Sequence, residues 1–136
     1  MFFLDSDICI NLMRGKLPTT YGHIRQSSPE LFGIPAVVEA ELRCGAVKSD
    51  APGKSLLLLE RFLAPFASIP FDRQCAIAYA HIRADLERRG KKIGPNDMLI
   101  AATAVAHGAV LVTDNVHEFG RVNGLMVESW EDVELF

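Results

Sequence analysis

Apolar residues in this chain come in two rhythms. Phe2-Phe3-Leu4 and Ala109-Val110-Leu111-Val112 are short unbroken runs, as expected of strands covered on both faces. Longer stretches repeat apolar positions at helical spacing. The pattern predicts strands at 2–4, 31–34, 67–69, 109–113 and 125–127, with helices at 6–13, 18–27, 36–48, 52–63, 73–89 and 96–107. Pro52 suits a first helical turn, and Gly90 and Gly108 suit helix stops. Alternation of the two kinds of element predicts an α/β sandwich with a mainly parallel sheet. At 136 residues the expectation is one domain, 1–136.

Four carboxylates stand where apolar runs end or open. Asp5 closes the first run, Glu41 lies inside the stretch 36–44, Asp97 opens Met98-Leu99-Ile100-Ala101-Ala102, and Asp114 ends the strand at 109–113. Charges in such company need a partner, because burying one alone is costly. At about 100° per residue, Glu41 falls on the face of Val37, Val38, Leu42 and Cys44, whereas Glu39 falls on the polar side. Asp97 shares a face with Ile100, Ala101, Ala104 and Gly108. Asp5 and Asp114 both follow strands, and open α/β sheets bind ligands outside the carboxyl ends of their strands. Four acids aimed at one point call for a cation, and an oxygen-only set suits Mg²⁺ or Mn²⁺. Each acid also has a plainer reading: Asp5 or Ser6, and Asn96 or Asp97, fit as N-caps, and Asp114 fits a turn. Glu41 caps nothing, and its plain alternative is a buried arginine partner.

Composition narrows the field. Apolar residues make up 49% and charged residues 23%, as in ordinary globular proteins. The net charge of −3 leaves nucleic-acid contact to a local patch, and Arg88-Arg89-Gly90-Lys91-Lys92 is one. That run equally suits a solvated helix end. Acids gather at Glu128, Glu131, Asp132 and Glu134. Three cysteines and four histidines at wide spacings make no zinc signature. No signal peptide precedes Asp5 and no run reaches spanning length, so a cytoplasmic protein without membrane contact is expected. The run Ser55–Leu63, apolar around much of a helix, suggests a partner surface beyond core packing.

Four segments in order resemble one family, the PIN-domain ribonucleases, and among them the VapC-type toxins of bacterial toxin–antitoxin pairs. These are Phe3-Leu4-Asp5-Ser6-Asp7; Glu41-Leu42-Arg43-Cys44-Gly45-Ala46; Ile82-Arg83-Ala84-Asp85-Leu86 through Gly94-Pro95-Asn96-Asp97 to Ile100-Ala101-Ala102; and Val112-Thr113-Asp114-Asn115 through Glu118-Phe119 to Glu128-Ser129-Trp130. The resemblance implies a PIN-like three-layer α/β/α sandwich and Mg²⁺- or Mn²⁺-dependent cleavage of RNA. Asp5 and Asp97 would be the main metal ligands, with Glu41 and Asp114 completing the shell or orienting water. It further implies a homodimer and a cognate VapB-like antitoxin over the acidic groove. Arg43 and the Arg88–Lys92 run would hold the RNA backbone. Two positions depart from the family pattern: Asp-Thr-Asn is here Asp5-Ser6-Asp7, adding a fifth acid, and Asp114 is often Asn.

Two rivals remain at this level. Phe2-Phe3-Leu4-Asp5-Ser6-Asp7 also opens like a haloacid-dehalogenase-type phosphatase, with Asp5 as nucleophile. That chemistry needs a later lysine and a Gly-Asp-x-x-x-Asp pair, and Asp114 stands alone. A non-catalytic RNA- or protein-binding module on the same scaffold is the other.

Overall fold

A computed structural model of the protein describes residues 1–131; Asp132 and Glu134 of the acidic tail lie outside the described residues. In chain order the elements are β1 (Phe2–Leu4), α1 (Ser6–Met13), α2 (Pro18–Gln26), a 3₁₀ turn (Pro29–Leu31), β2 (Phe32–Pro35), α3 (Ala36–Val47), α4 (Pro52–Leu63), β3 (Ala67–Ile69), α5 (Arg73–Arg88), α6 (Pro95–His107), β4 (Val110–Val112), α7 (Val116–Phe119) and β5 (Met126–Glu128). The periodicity therefore locates the strands and longer helices to within a residue or two. It misses α7 and the 3₁₀ turn, both too short to show a period.

The strands pair in the order β3-β2-β1-β4-β5. Among the described residues every pairing is parallel, more uniform than the mainly parallel sheet expected. Register aligns Phe2 with Phe32 on one side and Val110 on the other. Connections from β1 to β2 to β3 run one way across the sheet, and those from β3 to β4 to β5 run the other. Right-handed crossovers then put α1–α4 on one face and α5–α7 on the opposite face, the three-layer sandwich expected. Side chains agree: Phe3 meets His107 of α6 edge-on, while Phe2 and Phe32 stack with each other. Phe3, Leu4, Ile34, Val38, Ile100, Leu111, Val112 and Phe119 are fully or almost fully buried and make the core.

The reversal of direction falls between β1 and β4. This is the switch point at which open parallel sheets form a crevice outside their carboxyl ends. Asp5 leaves β1 and Thr113-Asp114 leaves β4 at that crevice. Among the described residues no helix is long and apolar enough to cross a membrane.

Candidate active site

Asp5 is the N-cap of α1. Its Oδ1 accepts the Ser6 N–H and its Oδ2 accepts the Thr113 hydroxyl, each at 2.8 Å. Capping and site readings are thus compatible, because separate oxygens serve them. The residue is only 5% exposed. Burial pushes its carboxyl up to about 6; Thr113 and Ser6 pull the other way, and the charges of Asp7 and Glu41 raise it further.

Asp97 does not cap its helix. Gly94 occupies the cap position of α6 without a side-chain bond, and Pro95 opens the first turn. Asp97 sits three residues in, and a Cβ placed on Gly94 would stand 3.4 Å from its Oδ2. Burial, then the hydrogen bond and charge of Glu118, then the charges of Asp5 and Glu41, push Asp97 up to about 7. Glu118 moves down, stabilised by the Asp97 proton and by the Gly94 N–H at 2.9 Å. Asn115 also donates to it. The hydrogen bond between the two carboxyls favours the protonated form of Asp97 and the charged form of Glu118.

Glu41 enters from α3. Val38, Leu42 and Ala46 of its helix are buried, although Cys44, expected on the same face, is exposed. The plain alternative of an arginine partner fails: Arg43 of the same helix pairs with Glu39 at 2.8 Å and with Glu60. Glu39, expected on the polar side, is ion-paired there, and Arg43 is committed. Glu41 Oε1 is buried and, among the described residues, has no hydrogen-bond partner. A cleft of about 630 Å³, shared with Asn96 at the start of α6, opens beside it. On its other side Glu41 reaches the end of an apolar groove of about 900 Å³ between α1, α2, α3 and α4.

Asp114 stands at the rim. It is exposed, accepts from Asn11 Nδ2 at 3.1 Å, and its N–H donates to Asp7 Oδ2 at 3.0 Å. Thr113, not Asp114, supplies the turn chemistry here, its hydroxyl accepting the Asn115 N–H at 3.0 Å. Burial raises Asp7, and the charge of Asp114 adds to the rise against the hydrogen bonds of Asp114 N–H, Ile8 N–H and Thr113. The structure therefore brings Asp5, Glu41 and Asp97 within electrostatic reach of one another, adds Glu118 beside Asp97 and Asp7 beside Asp5, whose Thr113 hydroxyl it shares, and leaves Asp114 at the rim. Glu118 and Thr113 escaped the reading of single residues, although both lie in the segments that carry the family resemblance.

Can these residues take a cation? Among the described residues no three of His, Cys, Asp and Glu already stand in a ligand arrangement. The oxygens of Asp5 and Asp97 are turned instead to Ser6, Thr113 and Glu118. Yet two carboxyls held near or above pH 6 and one orphaned carboxylate oxygen form a set that a hard cation would relieve. The donor chemistry fits.

Residues 2–125 match the PIN domain model. The chain is 33% identical over 132 residues to ribonuclease VapC2 of Rickettsia felis, covering 96% of this chain and 98% of the relative. It is 36% identical over 132 residues to the tRNA(fMet)-specific endonuclease VapC of Salmonella typhimurium, covering 95% and 97%. The DNA-bound VapBC2 of Rickettsia felis superimposes with a TM-score of 0.89 at 33% identity, covering 96% of this chain and 98% of that one. The phosphatase alternative is not favoured by these matches. The chain belongs to the PIN-domain family and, within it, to the VapC ribonucleases.

Proposed function

We propose that this chain, a single PIN domain over 1–136, is a divalent-cation-dependent endoribonuclease and the toxin of a toxin–antitoxin pair. The observation that carries the reading is the orphaned Glu41 Oε1 beside the raised carboxyls of Asp5 and Asp97 at the switch point of the sheet. Asp5 and Asp97 would hold Mg²⁺ or Mn²⁺, with Glu41 beside them and Asp114 at the rim. When bound, the cation lowers the pKa of a water and neutralises charge on the phosphate. The chain's own residues do the rest. Thr113 fixes the Asp5 carboxyl, and Glu118, by holding the Gly94 N–H, aligns the start of α6 so that Asp97 faces the crevice. Glu41 has a free oxygen at which a proton of the attacking water can rest.

A cognate VapB-like antitoxin fits the apolar groove, on which Leu58 is 52% exposed beside buried Leu59 and Phe62. The relatives solved as VapBC complexes support a partner of that kind. Leu57, 53% exposed on α4, belongs to the same excess of apolar surface, and a homodimer is part of the reading. The cytoplasm, where RNA and reduced thiols meet, is the proposed location.

Purified protein should cleave RNA with Mg²⁺ or Mn²⁺ and stop in EDTA. Expressed alone it should arrest growth, and co-expression with its neighbouring small protein should relieve the arrest. RNA bound but never cut, with cations present and the fold intact, would instead favour a non-catalytic module.

A further inference from the structure

The cations near this site are not equivalent. Arg43 is held by Glu39 and Glu60, and Arg88 and Arg89 are both held by Asp85, at 2.8 and 2.7 Å. Lys91 and Lys92 are exposed, and among the described residues neither makes an ion pair. They follow α5 through a tight stop. Gly90 adopts φ +66, its N–H donates to Glu87 O, and the Lys91 N–H donates to Leu86 O at 2.9 Å. That pair of bonds is the Schellman closure, which fixes the direction in which the chain leaves the helix.

The segment beyond is braced. Ile93 is 9% exposed and anchors it in the core. Arg121 donates to the Lys92 carbonyl, and Arg89 donates to the Arg121 carbonyl at 2.6 Å. Gly94 donates to Glu118 at 2.9 Å. Asn123 reaches Asp85 of α5 at 3.4 Å, tying the second loop to the helix as well. Lys92 lies two residues before Gly94, whose position is set against the Asp97 carboxyl. Two residues span about 7 Å at most, so the Lys92 backbone lies no farther than that from Gly94. A braced loop thus carries two lysines without ion pairs, close along the chain to the Asp97 carboxyl. A cation at a helix end needs no such bracing to satisfy the dipole.

We infer that Lys91 and Lys92, held by Arg121 and the Gly90 stop, form the track for the backbone of a single-stranded polynucleotide, gripping phosphates adjacent to the one placed at Asp5, Glu41 and Asp97. The inference rests on the nuclease reading above. With a net charge of −3 the molecule has no general attraction for a polyanion, so local cations such as this pair must hold the strand.

Steady-state cleavage of a fluorescent single-stranded RNA tests it, at several salt concentrations. Each phosphate contact contributes about 0.7 to the slope of log affinity against log salt for single strands. The double variant Lys91→Gln/Lys92→Gln should flatten the slope of log kcat/KM by about 1.4, raise KM on the order of tenfold and leave kcat within about twofold. The control Lys54→Gln/Arg88→Gln removes two cations elsewhere or already paired, and its slope should match wild type. A double lysine variant with wild-type melting and unchanged slope and KM would overturn the inference. So would an equal effect of the control pair. If wild type cuts no RNA, the nuclease reading fails separately, and fluorescence anisotropy with the same oligonucleotide decides: a lysine-dependent salt slope in binding sustains the track, and its absence ends it.

Discussion

Asp5 shows how one residue serves fold and site together. Its folded-state pKa of about 6 lies above the ordinary value of 3.8, so the folded protein holds a proton there that the unfolded chain has lost. Without a cation, stability is therefore highest on the acid side and falls as pH rises from about 4 to about 6, by on the order of 2–3 kcal/mol for this nearly buried group. Asp97 extends the decline to about 7. Asp5→Asn keeps the cap and removes the charge. In EDTA at pH 8 it should melt no lower than wild type, the difference should vanish near pH 4, and RNase activity should drop by orders of magnitude. Thermal melts across pH, beside an activity assay, check both halves; full activity in a folded variant would restore the purely capping role. Glu41 makes the complementary case. An unsatisfied buried polar atom costs about 1–3 kcal/mol, so Glu41→Met should stabilise the cation-free protein while abolishing cleavage. A fall in the urea midpoint would show that the orphaned oxygen is tolerated for some other reason.

Among the elements, the short strands depend on close approach. Gly33 in β2 lies where a Cβ would stand 2.9 Å from Ile69 Cγ1 in β3 and 3.1 Å from Phe3 Cε1 in β1. Both neighbours are buried, so the sheet has no slack there. Gly33→Ala should destabilise by about 1–3 kcal/mol through overpacking, read from the denaturant midpoint, with activity per folded molecule unchanged. A neutral substitution would mean that Ile69 repacks freely. The same scale explains the missing α7. It has four residues, too few for a period, and owes its place to Phe119 in the core and to Glu118 bridging to Gly94.

For the whole molecule, the cluster of acids is a stability problem that ligands solve. Crowded carboxylates penalise the folded state, and anything that binds only that state adds RT ln(1 + [L]/Kd), about 2.7 kcal/mol at a hundredfold excess over Kd. Mg²⁺ or Mn²⁺ should therefore raise Tm of wild type, and Asp97→Asn should lose most of that increase while retaining its fold by circular dichroism. Equal shifts in the two proteins would place the cation elsewhere.

Much of this was legible before any coordinates. Unbroken apolar runs mark strands buried on both faces, and helical periodicity marks which side of α3 and α6 turns inward, so Glu41 and Asp97 were readable as inward acids. These are local signals, carried within one element. What needed the tertiary structure is non-local. Strand order β3-β2-β1-β4-β5 creates the switch point, and periodicity contains no record of which strand lies beside which. A period tells which face of a helix is buried but not what stands opposite. Hence the sequence could not place Glu118 against Asp97, set Asp114 at the rim, commit Arg43 to Glu60, or commit Arg88 and Arg89 to Asp85 while Lys91 and Lys92 make no ion pair among the described residues. Those assignments depend on which side chains meet across the fold, and only the packing of α3, α6, α7 and the two loops decides that.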